Sequence, residues 1–177
     1  MSDSHTMRYA DPLVVMGIDP GTQVVGYGAV VLRDKKAVLL AAGVVRTTEG
    51  SAISSRLAHI RSSLDKLLGD IGPQVVVIEK AFAGKNQASA LRIGEGRGVA
   101  LSCAAISGAQ VVEYTPAEVK KSLTGNGGAD KGMVARWVAT ELGSPPVLDE
   151  LRHDATDGLA LALTWARRRH LAELGLR

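Results

Sequence analysis

The sequence predicts a single α/β domain, a mixed five-stranded sheet with helices on both faces. Three observations predict it. Two apolar runs, Val24–Arg33 and Ala37–Val45, are separated only by a short polar link, which makes them a hairpin. The later apolar runs alternate with segments of helical period, the order of parallel strands joined by crossover helices. The chain has 177 residues, 46% of them hydrophobic and 22% charged, enough for one real core, and no internal repeat or linker divides it. The domain is expected over 14–170, between a disordered N-terminal tail (1–13) and a C-terminal tail (171–177).

Each element has its own signal. Val14–Ile18 is an apolar run that ends in Asp19, and Pro20-Gly21-Thr22 then turns the chain. The second strand, Val24–Arg33, contains Gly26-Tyr27-Gly28, which indicates a bulge or a close backbone approach. Ser51–Leu68 switches to helical period, with Ile53, Leu57, Ile60, Leu64, Leu67 and Leu68 on one face. Gly72-Pro73 resets the chain. Val75–Ile78 reads as a strand buried on both faces, and it too ends in an acid, Glu79. Gln87–Ile106 reads as a central helix rich in small residues, which let another element or a second subunit approach closely. Asn86 is a candidate cap for it. Gln110–Tyr114 is a short strand. Thr115-Pro116-Ala117-Glu118 opens a helix to Leu123, with Thr115 and Glu118 in a capping box, so Glu118 is structural. After the loop Thr124–Ala129, Asp130 caps a helix to Leu142. Lys131 in its first turn opposes the helix dipole, a local conflict of the kind that marks functional positions. The last helix opens within Leu151–Gly158 and runs to Arg168.

Composition narrows the function. No apolar stretch approaches the roughly 20 residues that span a bilayer. The first twelve residues lack the apolar core of a signal peptide. The single cysteine, Cys103, excludes an internal disulfide and a cysteine-based zinc site. A cytoplasmic location is expected. Net charge is a mild +3, but from Lys80 to Arg136 eight basic residues stand against four acids, and Arg167, Arg168 and Arg169 follow. A basic middle around isolated carboxylates suits a polyanionic partner.

Four acids stand apart. Asp19 and Glu79 end apolar strands, while Asp154 and Asp157 lie i, i+3 at a helix start. Charge at the end of a buried strand must be paired, solvated or metal-bound. Clustered carboxylates suit hard cations such as Mg²⁺ or Mn²⁺, and two such ions clamp the attacking and leaving oxygens of phosphoryl transfer. With the basic middle, this points to a nuclease. Phe82, the one phenylalanine, sits between Lys80 and Lys85 just after Glu79. It reads either as a core aromatic under the loop or as a stacking platform for a base.

Four segments, GIDPGT (Gly17–Thr22), GYG (Gly26–Gly28), VIEKAFAGKN (Val77–Asn86) and RHDATDGLALALT (Arg152–Thr164), together resemble the RuvC family of bacterial Holliday junction resolvases. The resemblance runs from about Val14 to Arg168. GIDPGT by itself is a weak signal, since similar turns bind phosphates in actin-like and sugar-kinase ATPases; all four segments in order are specific. The resemblance implies a ribonuclease-H-like fold and a homodimer that nicks two opposed strands of a four-way junction symmetrically, leaving 5′-phosphate and 3′-hydroxyl ends. It implies Asp19, Glu79, Asp154 and Asp157 as ligands of two Mg²⁺ ions, with Mn²⁺ an alternative. It implies Phe82 as the aromatic at the junction centre, and Lys120 and Lys131 as DNA contacts near the cut. Lys85 and Asn86 fall in the same DNA-contacting segment. The branch-migration proteins RuvA and RuvB are the implied partners. Some family members carry histidine where Asp154 stands, and here His153 precedes it, i, i+4 from Asp157. The third ligand is therefore His153 or Asp154, with the spacing to Asp157 favouring Asp154. Two rivals remain at this point: a YqgF-like nuclease acting on RNA, against which the Phe82 loop and the two lysines argue, and a catalytically silent junction- or nucleotide-binding module.

Overall fold

Alternation along the first strand, β1 (Leu13–Asp19), sorts its side chains onto two faces of a sheet. Leu13 and Val15 join one core cluster, and Met16 and Ile18 join the other. The buried apolar side chains of the strands therefore feed two apolar layers. The computed structural model that shows this describes residues 12–34, 36–80, 87–148 and 153–176.

β2 (Val24–Arg33) and β3 (Lys36–Arg46) form the expected antiparallel hairpin, and β2 also pairs antiparallel with β1. β4 (Val75–Glu79) lies parallel to β1, and β5 (Gln110–Tyr114) parallel to β4. The five strands stand in the order β3-β2-β1-β4-β5, a mixed sheet. One face carries α1 (Ile53–Ile71) and α2 (Gln87–Ile106). The other carries α3 (Pro116–Thr124), α4 (Lys131–Glu141) and the long α5 (His153–Glu173). This is the ribonuclease-H-like arrangement. No described helix is long and apolar enough to cross a membrane.

Most boundaries fall within two or three residues of the sequence expectation. α1 starts at Ile53 rather than Ser51 and runs on to Ile71, where Gly72 closes it in the left-handed conformation. α5 continues past Arg168 to Glu173, because 169–173 are good helix formers and Arg169 pairs with Glu173 one turn on. β1 begins at Leu13 and α5 crosses residue 170, so both expected domain edges fall inside regular structure. The Thr115/Glu118 capping box and the Asp130 cap are present as expected.

The seat of α5 decides where the site lies. A Cβ on Gly26 would land on the carbonyl oxygen of Asp154, and one on Gly28 would stand 2.5 Å from the backbone nitrogen of Leu159. The glycines of the Gly-Tyr-Gly segment thus let the helix lie directly on β2. The same strand also carries an irregularity: its register with β3 shifts between Ala29 and Val30. Gly28→Ala should therefore lift α5 and cost about 3 kcal/mol of stability. Urea unfolding measures this, and an unchanged midpoint would mean that the helix has room to move.

Candidate active site

Two properties of the strands place the first pair of acids. Side chains alternate along a strand, so Asp19 shares the face of Leu13 and Val15, and Glu79 shares that of Val75 and Val77. The β1–β4 register pairs Ile18 with Ile78, so the next residues, Asp19 and Glu79, end neighbouring parallel strands side by side. Both then sit on the face that α5 covers. The glycine seat brings the first turn of α5 over the same strand ends. Asp19, Glu79 and Asp157 line one cleft of about 240 Å³ with Lys120 and Lys131, roofed by Val119 and Val134 of α3 and α4.

Electrostatics mark this cleft as unusual. Burial, followed by the nearby charge of Asp157 and then Asp154, pushes the Asp19 carboxyl up to about 6, against the pull of Lys131. Burial and the charges of Asp19 and Asp157 push Glu79 up to about 7, with Lys131 and Lys120 opposing. Lys131 donates a 2.8 Å hydrogen bond to Asp157, which holds the ammonium more firmly protonated than usual. The local conflict at the start of α4 is resolved here: Lys131 turns away from its own helix dipole toward an acid of α5. As placed, the carboxylates share a cleft without meeting at one point. Among the described residues no three acid, histidine or cysteine side chains are grouped closely enough to hold an ion as they stand.

Of the residues singled out in the sequence, Asp19, Glu79, Asp157, Lys120 and Lys131 come together. Asp154 is half-buried and does not line the cleft, though its charge acts on Asp19, whereas His153 is exposed. Phe82, Lys85 and Asn86 lie outside the residues whose side chains are described. Each of the three consecutive arginines of α5 lies over an aromatic ring. Arg167 lies over the Trp137 ring at 5.4 Å, Arg168 over Tyr114 at 4.8 Å and Arg169 over Trp165 at 5.6 Å. Arg168 also pairs with Glu118 and Arg169 with Glu173. The sequence shows a run of cations; it holds no sign of the rings that receive them.

Strand-end carboxylates and lysines gathered in one cleft stand here on the sheet order of the ribonuclease-H-like class. The family model described as crossover junction endodeoxyribonuclease RuvC matches residues 15–165. The chain belongs to the RuvC family. A crossover junction endodeoxyribonuclease RuvC of Solidesulfovibrio magneticus is 40% identical over 161 residues, covering 91% of this chain and 94% of the relative. The structure of Thermus thermophilus RuvC superposes with a TM-score of 0.78 at 33% identity, covering 92% of this chain and 97% of that one. A second structure, that RuvC in complex with a Holliday junction substrate, gives a TM-score of 0.77 at 31% identity, covering 92% and 96%.

Proposed function

We propose that this chain is a metal-dependent endodeoxyribonuclease that resolves Holliday junctions by paired symmetric nicks during recombination and DNA repair. The observation that carries the reading is the single cleft holding Asp19, Glu79 and Asp157 beside Lys120 and Lys131. The donor set fits hard divalent cations. It consists of carboxylate oxygens whose mutual repulsion and burial raise Asp19 and Glu79, a cost that a cation offsets. Asp19, Glu79, Asp154 and Asp157 would hold Mg²⁺, two ions per site, with Mn²⁺ acceptable to the same oxygens. Such ions supply Lewis acidity to the scissile phosphate and lower the pKa of the attacking water.

The chain's own side chains set the rest. The strand ends fix Asp19 and Glu79 on a rigid base. Lys120 and Lys131 place positive charge where a phosphate backbone enters the cleft and where charge builds up during displacement, which leaves 5′-phosphate and 3′-hydroxyl ends. Phe82, with Lys85 and Asn86, would meet the DNA at the junction centre. A homodimer is supported by the outer face of α2, where Leu91 and Ile106 are about two-thirds exposed and Gly94 and Gly98 face open space. RuvA and RuvB are the partners proposed for a cytoplasmic complex on the junction.

The test is a labelled synthetic four-way junction beside matched duplex and an RNA–DNA hybrid, each with Mg²⁺, Mn²⁺ or chelator. Paired nicks in the junction alone, requiring metal, are expected. Cutting of the hybrid would favour the RNA-directed reading, and tight junction binding without cutting would make the chain a binding module. Lys131→Ala should slow cleavage about 10- to 100-fold and reduce the salt dependence of junction affinity. Unchanged kinetics would remove Lys131 from the site.

A further inference from the structure

We infer that Arg56, on the far side of the sheet from the cleft, is a positioning residue for the Asp19 carboxylate. The inference rests on the nuclease reading of that carboxylate. Arg56 lies in the first turn of α1, and it does not line the cleft. Its guanidinium is instead bound to the turn that follows Asp19. Nε donates to the Thr22 carbonyl oxygen at 2.9 Å and to Thr47 Oγ1 at 3.2 Å, and a terminal nitrogen reaches Thr22 Oγ1 at 3.4 Å. Thr47 closes the clamp from β3's end. Its hydroxyl lies 3.0 Å from the Thr22 carbonyl oxygen and 3.3 Å from that of Gln23, and its backbone N–H donates to Gln23 at 3.0 Å. On the third side α2 presents Gly96, where a Cβ would stand 2.7 Å from the Gly21 carbonyl oxygen. Three elements thus grip Gly21–Gln23, and Thr22 is buried.

The grip reaches the site through short covalent and hydrogen-bonded links. The turn joins Asp19 of β1 to β2, and Asp19 pairs across the ladder with Gly26, the residue on which Asp154 rests. Displacing the turn therefore moves one acid directly and the seat of the others. The acids of the cleft repel one another, so Asp19 is pushed toward any slack in its support. A planar, multiply bonded guanidinium behind the turn removes that slack; a flexible ammonium makes fewer fixed bonds.

The experiment compares Arg56→Met, Arg56→Lys and Thr47→Val with the wild-type protein. It measures junction cleavage, junction affinity in chelator, Mn²⁺ binding by electron paramagnetic resonance, and thermal unfolding. Arg56→Met should lower kcat about 10- to 100-fold. Mn²⁺ binding should weaken several-fold, while junction affinity stays within about twofold. Arg56→Lys should recover part of the loss, and Thr47→Val should fall between wild type and Arg56→Met. Wild-type kcat and Mn²⁺ affinity in a folded Arg56→Met would overturn the inference, as would parallel losses of junction affinity and kcat. Should Arg56→Met fail to fold, Thr47→Val decides on the same two criteria. A wild-type protein that binds Mn²⁺ but cuts no junction would sink the nuclease reading instead, while the Mn²⁺ measurement would still judge Arg56.

Discussion

Asp19→Asn is expected to abolish junction cleavage, by about 10³-fold or more, and at the same time to make the protein more stable. The two effects have one cause. Asp19 is a mostly buried carboxylate facing Asp157 and Asp154, and these surroundings disfavour its charged form. A carboxyl held near 6, against an ordinary value near 4, costs the folded state about 3 kcal/mol at neutral pH, part of which an uncharged amide recovers. An amide of the same shape keeps the packing and removes the repulsion. In chelator, the midpoint of thermal unfolding should rise by about 5 °C for a chain of this size. Junction affinity should stay within about threefold, because Lys120 and Lys131 remain. A less stable Asp19→Asn that has also lost junction binding would show that the residue is a turn former and nothing more. The expected outcome is the usual trade of stability against activity at a site that holds charge against its own interest.

Much of this site is legible in the amino-acid sequence, and the reason is local. An acid that ends a continuous apolar run stands out, and Asp19 and Glu79 both do so. Lys131 stands out because it opposes its own helix dipole, and its bond to Asp157 supplies the reason. The Gly-Tyr-Gly segment signals a bulge or a close approach. The close approach is that of α5, while the register shift lies one residue further along β2. Other features depend on partners distant in sequence. That Asp19 and Glu79 are neighbours follows from a parallel pairing across sixty residues, which no local pattern encodes. In the sequence Arg56 is an ordinary polar residue on an amphipathic helix, because its partners, Thr22 and Thr47, lie on other elements. The arginines Arg167–Arg169 read only as charge suited to a polyanionic partner, for the same reason. Their rings come from α4, β5 and the body of α5.

In chelator, the stability of the wild-type protein should fall as pH rises from about 4 to about 7, the reverse of the usual behaviour of paired carboxylates. Asp19 near 6 and Glu79 near 7 bind protons more tightly when folded than unfolded, where both titrate near 4. Between those values the folded state carries the extra protons, so raising the pH favours unfolding. The effect is complete once pH passes the folded values. Asp65 and Glu118 shift the other way, held low by Arg61 and by the Thr115 cap, and their contribution disappears only as pH falls below about 4. Asp19→Asn should flatten the curve and leave a smaller part owed to Glu79, whose upward shift then rests on burial and the charge of Asp157. Divalent cations compete with the same protons, so Mg²⁺ should raise the unfolding midpoint much more at pH 7.5 than at pH 5. Cleavage at limiting Mg²⁺ should climb with pH up to about 7, and saturating metal should move that rise to lower pH. Stability that is level across this range in chelator, or a Mg²⁺ effect of equal size at both pH values, would mean that the acids are solvated and independent. The cleft would then lack the built-in repulsion that makes it a cation site.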